Sequence, residues 1–298
     1  MSTTAPRTAT TTTFLSEGDT IDAWHVAAAD DRLGNPVVVM AHGLAGTKDS
    51  GLASFADGLA AAGAHVLAFD YRGFGASGGT PRQTVSMAGQ LADYRAAVDA
   101  ARKLPGVDPA RVVLWGVSLA GGHVIATASG RDDIAGVISL TPLVDGPAAG
   151  RLALQHHSKS SIARSTALGV RSKVGKTRMM PVAARPGELG ALTISGAYED
   201  YLSIAGPTWV NEVDAAVGLE LGSHRPGKLA KGVTAPMLVQ IADFDRSAPP
   251  QAAAKAAFAA KALVRHYPCD HFDVYAGKQW HDAVVAHQVS FLERLFLA

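Results

Sequence analysis

Six short apolar runs do most to limit what this chain can fold into. They are Val37 to Ala41, His65 to Phe69, Arg111 to Trp115, Ala135 to Leu140, Met237 to Ile241 and Leu263 to Tyr267. They alternate little between apolar and polar residues, the pattern of strands covered on both faces. Ala-rich stretches of helical character separate them: Leu52 to Ala62, Met87 to Leu104, Gly121 to Ser129, Ala252 to Ala260 and Trp280 to Phe296. Strand and helix in alternation predict an α/β fold, a mostly parallel sheet with helices on both faces. Ahead of these runs, Thr11 to Leu15 and Ile21 to Val26 flank the turn signal Glu17-Gly18-Asp19 and read as a hairpin. The expected sheet therefore has about eight strands.

The alternation stops between Pro142 and Thr234. No buried-strand run occurs there, and the helical pieces are polar and broken by Gly and Pro. A stretch of roughly 90 residues is too long for a connecting loop. The chain thus divides into a disordered leader (1–10), a core (11–142 and 233–298) and an inserted, mainly helical cap (143–232). Charge is segregated within the cap. Gly146 to Gly187 holds eight basic residues (Arg151, Lys159, Arg164, Arg171, Lys173, Lys176, Arg178, Arg185) and no acid. Glu188 to His224 holds six acids and no Lys or Arg.

Composition removes several function classes. The net charge of +1 over 298 residues gives no reason to expect a nucleic-acid partner. The single cysteine, Cys269, rules out an internal disulfide and suits a reducing compartment. The Thr-rich start lacks the apolar run of a secretory signal, and no later run reaches the roughly 18 apolar residues of a membrane span. A cytoplasmic protein without a membrane partner, monomer or homodimer, is expected. The pair His156-His157 lacks a matching ligand set, so no metal or cofactor is expected.

The sharpest chemical signal is Trp115-Gly116-Val117-Ser118-Leu119-Ala120-Gly121-Gly122. An apolar strand ends, a serine stands between small residues, and a helical run follows. A serine at a strand-to-helix turn adopts a strained backbone and needs small neighbours two before and two after it. Gly116 and Ala120 hold those places, with Ala120 departing from the usual G-x-S-x-G. The turn also sets Ser118 at a helix N-terminus, where free N–H groups favour negative charge.

With these residues the chain resembles the α/β-hydrolase superfamily, closest to its serine-esterase and serine-aminopeptidase-like members. The resemblance covers about Val37 to Pro142 and Ala235 onward. Ala41-His42-Gly43-Leu44-Ala45-Gly46 looks like the family's His-Gly oxyanion loop. Asp70-Tyr71-Arg72-Gly73-Phe74-Gly75-Ala76-Ser77 looks like its D-x-R-G-x-G-x-S stretch. The resemblance implies two backbone donors for an oxyanion, the N–H groups of Leu44 and Leu119. It implies an acid separated by three residues from a proline, here Pro249, which selects Asp245 over Asp243. Asp145, after an earlier strand, is a third candidate. The base falls in the last loop, at His271. His42 reads as a structural histidine, His266 as a packed or surface residue, His281 and His287 as surface residues of the last helix, and Cys269 as a small packing residue.

A Ser118-His271-Asp245 triad implies a serine hydrolase acting on a small acyl substrate, with carboxylic esters as the leading class. Thioesters, lactones, amides, carbon–carbon bonds and acyl transfer would use the same residues. A non-catalytic receptor on the same fold is the rival of another kind. Three cap residues, Trp209, Tyr198 and Arg151, are candidates for contacting substrate. Arg151 and its basic neighbours would favour a substrate with a free carboxylate. Alternatively they form a solvated face or pair with the acidic half of the cap.

Overall fold

A computed structural model describes Pro6 and residues 9–297 of the chain. Strands β1 (Ala9–Ser16) and β2 (Asp19–Val26) form the expected hairpin. β1 starts inside the leader expected over 1–10, because Ala9 and Thr10 already pair with Val26 and His25. The rest of that leader, Pro6 apart, lies outside the described residues. Next come β3 (Val37–Ala41), α1 (Ala53–Ala61), β4 (His65–Phe69), α2 (Met87–Ala101), β5 (Val112–Val117), α3 (Leu119–Ala128) and β6 (Gly136–Leu140). Helix α2 stops three residues short of the expected Leu104. Pro105 disfavours helical backbone at the residue before it.

After β6 the chain leaves the sheet. It forms α4 (Gly146–His156), α5 (Lys159–Val174), β7 (Met179–Met180), α6 (Ala197–Ile204), β8 (Val213–Asp214) and α7 (Val217–Ser223). A 3-10 turn (Pro226–Gly232) leads back to β9 (Met237–Ala242), α8 (Pro250–Ala259), β10 (Leu263–Tyr267) and α9 (His281–Phe296). Strands β7 and β8 pair only with each other. Buried residues of this insertion, among them Met180, Val182, Val213 and Tyr201, join the same hydrophobic cluster as the sheet.

The main sheet has eight strands in the order β1-β2-β4-β3-β5-β6-β9-β10. From β4 to β10 all neighbours are parallel, and the leading hairpin adds two antiparallel strands. Every residue of β3, β4, β5, β6 and β9 is buried, as runs without alternation require. The chain steps from β3 outward to β4, then returns across β3 to β5. Such a reversal opens a crevice beyond the carboxyl ends of the two strands. Ala41 pairs with Gly116 there. The register thus sets His42-Gly43 beside Val117-Ser118.

Candidate active site

Ser118 joins β5 to α3 with φ 58° and ψ −118°, a conformation that costs a non-glycine residue about 1–3 kcal/mol. Three backbone hydrogen bonds hold it. Its N–H donates to Leu140 at 2.9 Å, and its carbonyl accepts from Leu143 at 2.9 Å and Gly122 at 3.3 Å. The turn leaves no room beside it. A Cβ on Gly116 would lie 2.2 Å from the Ala120 carbonyl oxygen, and one on Gly43 would lie 2.9 Å from Ser118 Cβ. Ala120 itself is fully buried and fits, which accommodates the departure from glycine.

Leu119 is the first residue of α3, and Leu44 sits on the loop after β3. Among the described residues neither N–H donates to a protein acceptor. Both residues line the same cavity as Ser118 and His271. Two free donors beside a serine suit a developing oxyanion. His42 is buried, and its Nδ1 donates to the Gly43 carbonyl at 2.9 Å. Burial outweighs the pull of Asp70 and holds its imidazole below the ordinary value.

The loops after β9 and β10 bring Asp245 and His271 together. His271 Nδ1 donates to Asp245 Oδ2 at 2.6 Å, with both side chains nearly enclosed. The other carboxylate oxygen accepts from the N–H groups of Ser247 at 2.7 Å and Ala248 at 2.6 Å. Burial pushes the His271 pKa down. Asp245, through charge and hydrogen bond, and Asp270 outweigh it, and the net shift is upward. With Nδ1 carrying a proton toward Asp245, the neutral ring keeps Nε2 as an acceptor.

The other candidates go elsewhere. Asp243 meets His266 at 2.7 Å on an exposed edge, and Asp145 caps α4 by accepting from Ala148 at 3.0 Å. His281, expected on the surface, is instead buried against Phe55 and donates to the Val274 carbonyl at 3.0 Å, and His287 accepts from Tyr267 at 2.9 Å. Cys269 is buried, and desolvation together with Asp273 and Asp245 pushes its thiol up to about 12, away from the reactive thiolate.

Two residues that sequence reading passed over brace His271. Arg246 Nε donates to Asp270 Oδ2 at 2.6 Å, and Asp270 Oδ1 accepts from the His271 N–H at 2.8 Å. The loops after β9 and β10 are thereby tied together. Each residue is adjacent in sequence to a candidate, Asp245 or His271, and that adjacency was the available signal.

A cavity of about 370 Å³ opens from Ser118 and His271 toward the insertion. Its walls are mostly aliphatic, with Leu143, Ala153, Ile162, Leu192 and Val217 among them. A second cavity of about 30 Å³ lies on the Gly43 side of Ser118, against Tyr201 and Tyr275. The three cap residues expected to touch substrate line neither cavity. Arg151 is exposed on α4, Tyr198 lies under the Arg185 guanidinium at 4.5 Å, and Trp209 stacks on Tyr201. All eight basic residues between Gly146 and Gly187 are exposed. Lys173 pairs with Glu220 at 3.0 Å and Arg185 with Glu199 at 3.3 Å, linking the basic half to the acidic half. Arg246 is the one Lys or Arg among the described residues that line the larger cavity, and Asp270 holds its guanidinium.

Residues 35–284 match the family described as Hydrolase_4, serine aminopeptidase, S33. The quorum-quenching protein AidA of Acinetobacter baumannii is 36% identical over 268 residues, covering 87% of this chain and 86% of that protein. The thiohydrolase aneE of Aspergillus aculeatus is 39% identical over 110 residues, 37% of this chain and 35% of its own length. In fold, the α/β hydrolase GrgF from Penicillium sp. superposes with a TM-score of 0.76 at 19% identity, over 97% of this chain and 99% of that one.

Proposed function

The chain belongs to the Hydrolase_4 serine aminopeptidase family of α/β-hydrolases, and from that premise we propose that it cleaves carboxylic esters carrying a sizeable apolar group, through Ser118, His271 and Asp245. One observation carries this reading. A strained serine and a histidine bonded to a buried aspartate line the same mostly aliphatic cavity.

A serine hydroxyl is a weak nucleophile at neutral pH and needs a base beside it. In the proposed reaction, His271 Nε2 takes the Ser118 proton as Oγ bonds to the carbonyl carbon. The carbonyl oxygen becomes an oxyanion, held by the N–H groups of Leu44 and Leu119. Each donor of this kind contributes roughly 3–4 kcal/mol to the transition state. Asp245 fixes the tautomer and stabilises the imidazolium. The imidazolium then protonates the departing alkoxide, leaving an acyl group on Ser118. Water attacks that acyl group by the same route in reverse, and His271 returns the proton to Ser118.

The likeness to a protein named a thiohydrolase supports a second reading, in which the leaving group is a thiolate. Ester and thioester of one acyl chain, compared by specificity constant, separate the two. An alkyl fluorophosphonate probe tests the common part. Labelling at Ser118, located by peptide mass spectrometry and absent in Ser118→Ala, is the expected outcome. A folded protein that takes no label at Ser118 would overturn the hydrolase reading.

The aliphatic cavity also sets an expectation for chain length. Ala153 lies on α4 and lines it half-buried. Ala153→Phe should fill the space near it and exclude the far end of a long acyl chain. Each methylene kept from apolar surroundings loses about 0.8 kcal/mol, so excluding two costs about tenfold. Across 4-nitrophenyl esters from acetate to decanoate, the variant should lose at least that factor in kcat/KM at the long end and little at acetate. A uniform loss along the series would mean that the cavity does not take the acyl chain.

A further inference from the structure

Two insertion side chains reach across to the loop that carries Leu44. The Tyr201 hydroxyl donates to the Leu44 carbonyl at 2.5 Å, and the Trp209 indole N–H donates to the Ala45 carbonyl at 3.0 Å. Their rings stack at 4.9 Å with 23° between planes, so neither turns without disturbing the other. From the sheet side, His42 Nδ1 holds the Gly43 carbonyl. Three successive carbonyls, of residues 43, 44 and 45, are pinned in this way.

The direction of the Leu44 N–H follows from those bonds. The Gly43 carbonyl and the Leu44 N–H belong to one planar trans peptide and point opposite ways. Holding the carbonyls on either side of Leu44 fixes its two soft dihedrals as well. The loop needs that support. Ala45 sits at φ 49°, left-handed backbone that alanine seldom adopts unless its surroundings impose it.

The segment around Tyr201 has further ties to the core. The Thr208 N–H donates to Asp49 at 3.0 Å, and Lys278 pairs with Asp200 at 2.8 Å. Phe272, next to His271, meets the Tyr201 ring edge-on at 5.8 Å. One stacked aromatic pair therefore touches both the donor loop and the neighbour of the base.

We propose that Tyr201 and Trp209 are positioning residues, through which the docked insertion sets the direction of the Leu44 donor and so completes the oxyanion hole. The proposal rests on the reading of Leu44 as an oxyanion donor given above. It assigns Trp209 a role on the loop carbonyl in place of the substrate contact expected from the sequence.

Tyr201→Phe is the first variant, because it keeps the ring stack and removes only the hydroxyl. Trp209→Phe is the second. In each, kcat should fall by about tenfold, short of the 100- to 1,000-fold that follows outright loss of a donor. KM should stay within about twofold, the signature of an interaction made in the transition state. Affinity for an alkylboronic acid, whose serine adduct is tetrahedral and anionic, should fall with kcat. Amide hydrogen exchange at residues 43–46 should quicken while the melting temperature holds. An unchanged kcat, a rise in KM alone, or boronate affinity that holds while kcat falls would overturn the proposal. Fluorophosphonate labelling of the unmodified protein separates this result from failure of the hydrolase reading. Should that labelling fail, loop exchange still decides the coupling, and unchanged exchange in both variants refutes it.

Discussion

Replacing Ser118 with glycine should abolish turnover and stabilise the protein at once. Loss of the nucleophile in a serine triad lowers kcat by about five to six powers of ten. What survives comes from the oxyanion donors and from binding. The gain in stability has a separate source. At φ 58° and ψ −118° a side chain crowds its own backbone, a strain of about 1–3 kcal/mol that glycine does not feel. Glycine gives back about 0.5–1 kcal/mol through the greater freedom of the unfolded chain. The net gain is of order 1 kcal/mol, about 2 °C in melting temperature for a chain of this size. Ser118→Ala is the control, since alanine keeps the Cβ and hence the strain. It should be equally inactive and no more stable than the parent. Thermal melts and single-turnover assays on both variants check this. Should the glycine and alanine variants melt together, the strain account fails. Should either retain a hundredth of the parent kcat, Ser118 is not the nucleophile.

The features legible in the sequence are those set by short-range backbone rules. Five of the six runs without alternation gave strands covered on both faces, the edge strand β10 staying half-exposed, and the strand–helix rhythm gave the parallel sheet. The serine turn announced itself because its crowding demands small residues at 116 and 120. Choosing among Asp243, Asp245 and Asp145 is a different kind of problem. Asp243 and Asp245 share one turn that no backbone rule divides; the family resemblance selects Asp245, which reaches His271, while Asp243 reaches His266. The insertion was least legible. Its strands β7 and β8 are two residues each, too short for a period to register. Trp209 and Tyr198 are aromatic residues in polar surroundings, and nothing local says whether such a ring meets a ligand, a loop carbonyl or a guanidinium. The charge segregation was visible, but its consequence depended on which faces of α4 and α5 turn to solvent.

Asp245→Asn should lower kcat by about four powers of ten, and the hydrogen bonds around Asp245 supply the reason. One carboxylate oxygen already accepts from the N–H groups of Ser247 and Ala248. In the asparagine variant the amide oxygen must keep that place, which turns the NH₂ group toward His271. His271 Nδ1 then has to accept, and its proton moves to Nε2, the nitrogen that must take the Ser118 proton. The base is present but in the wrong tautomer. The pH dependence follows from the same pair. Because the pKa of His271 is raised in the folded protein, kcat/KM of the parent should climb with pH through an apparent pKa above the ordinary 6.5. Loss of the Asp245 charge should move the residual rising limb to lower pH. Stability runs the other way. A histidine pKa raised by folding stabilises the protein fully below about pH 6.5, and the contribution is lost as pH rises through the folded value. The melting-temperature difference between parent and Asp245→Asn should therefore be larger at pH 5.5 than at pH 8.5. A difference that does not shrink as pH rises would mean that Asp245 does not raise the His271 pKa, and the assignment of Asp245 as its charge partner would have to be withdrawn.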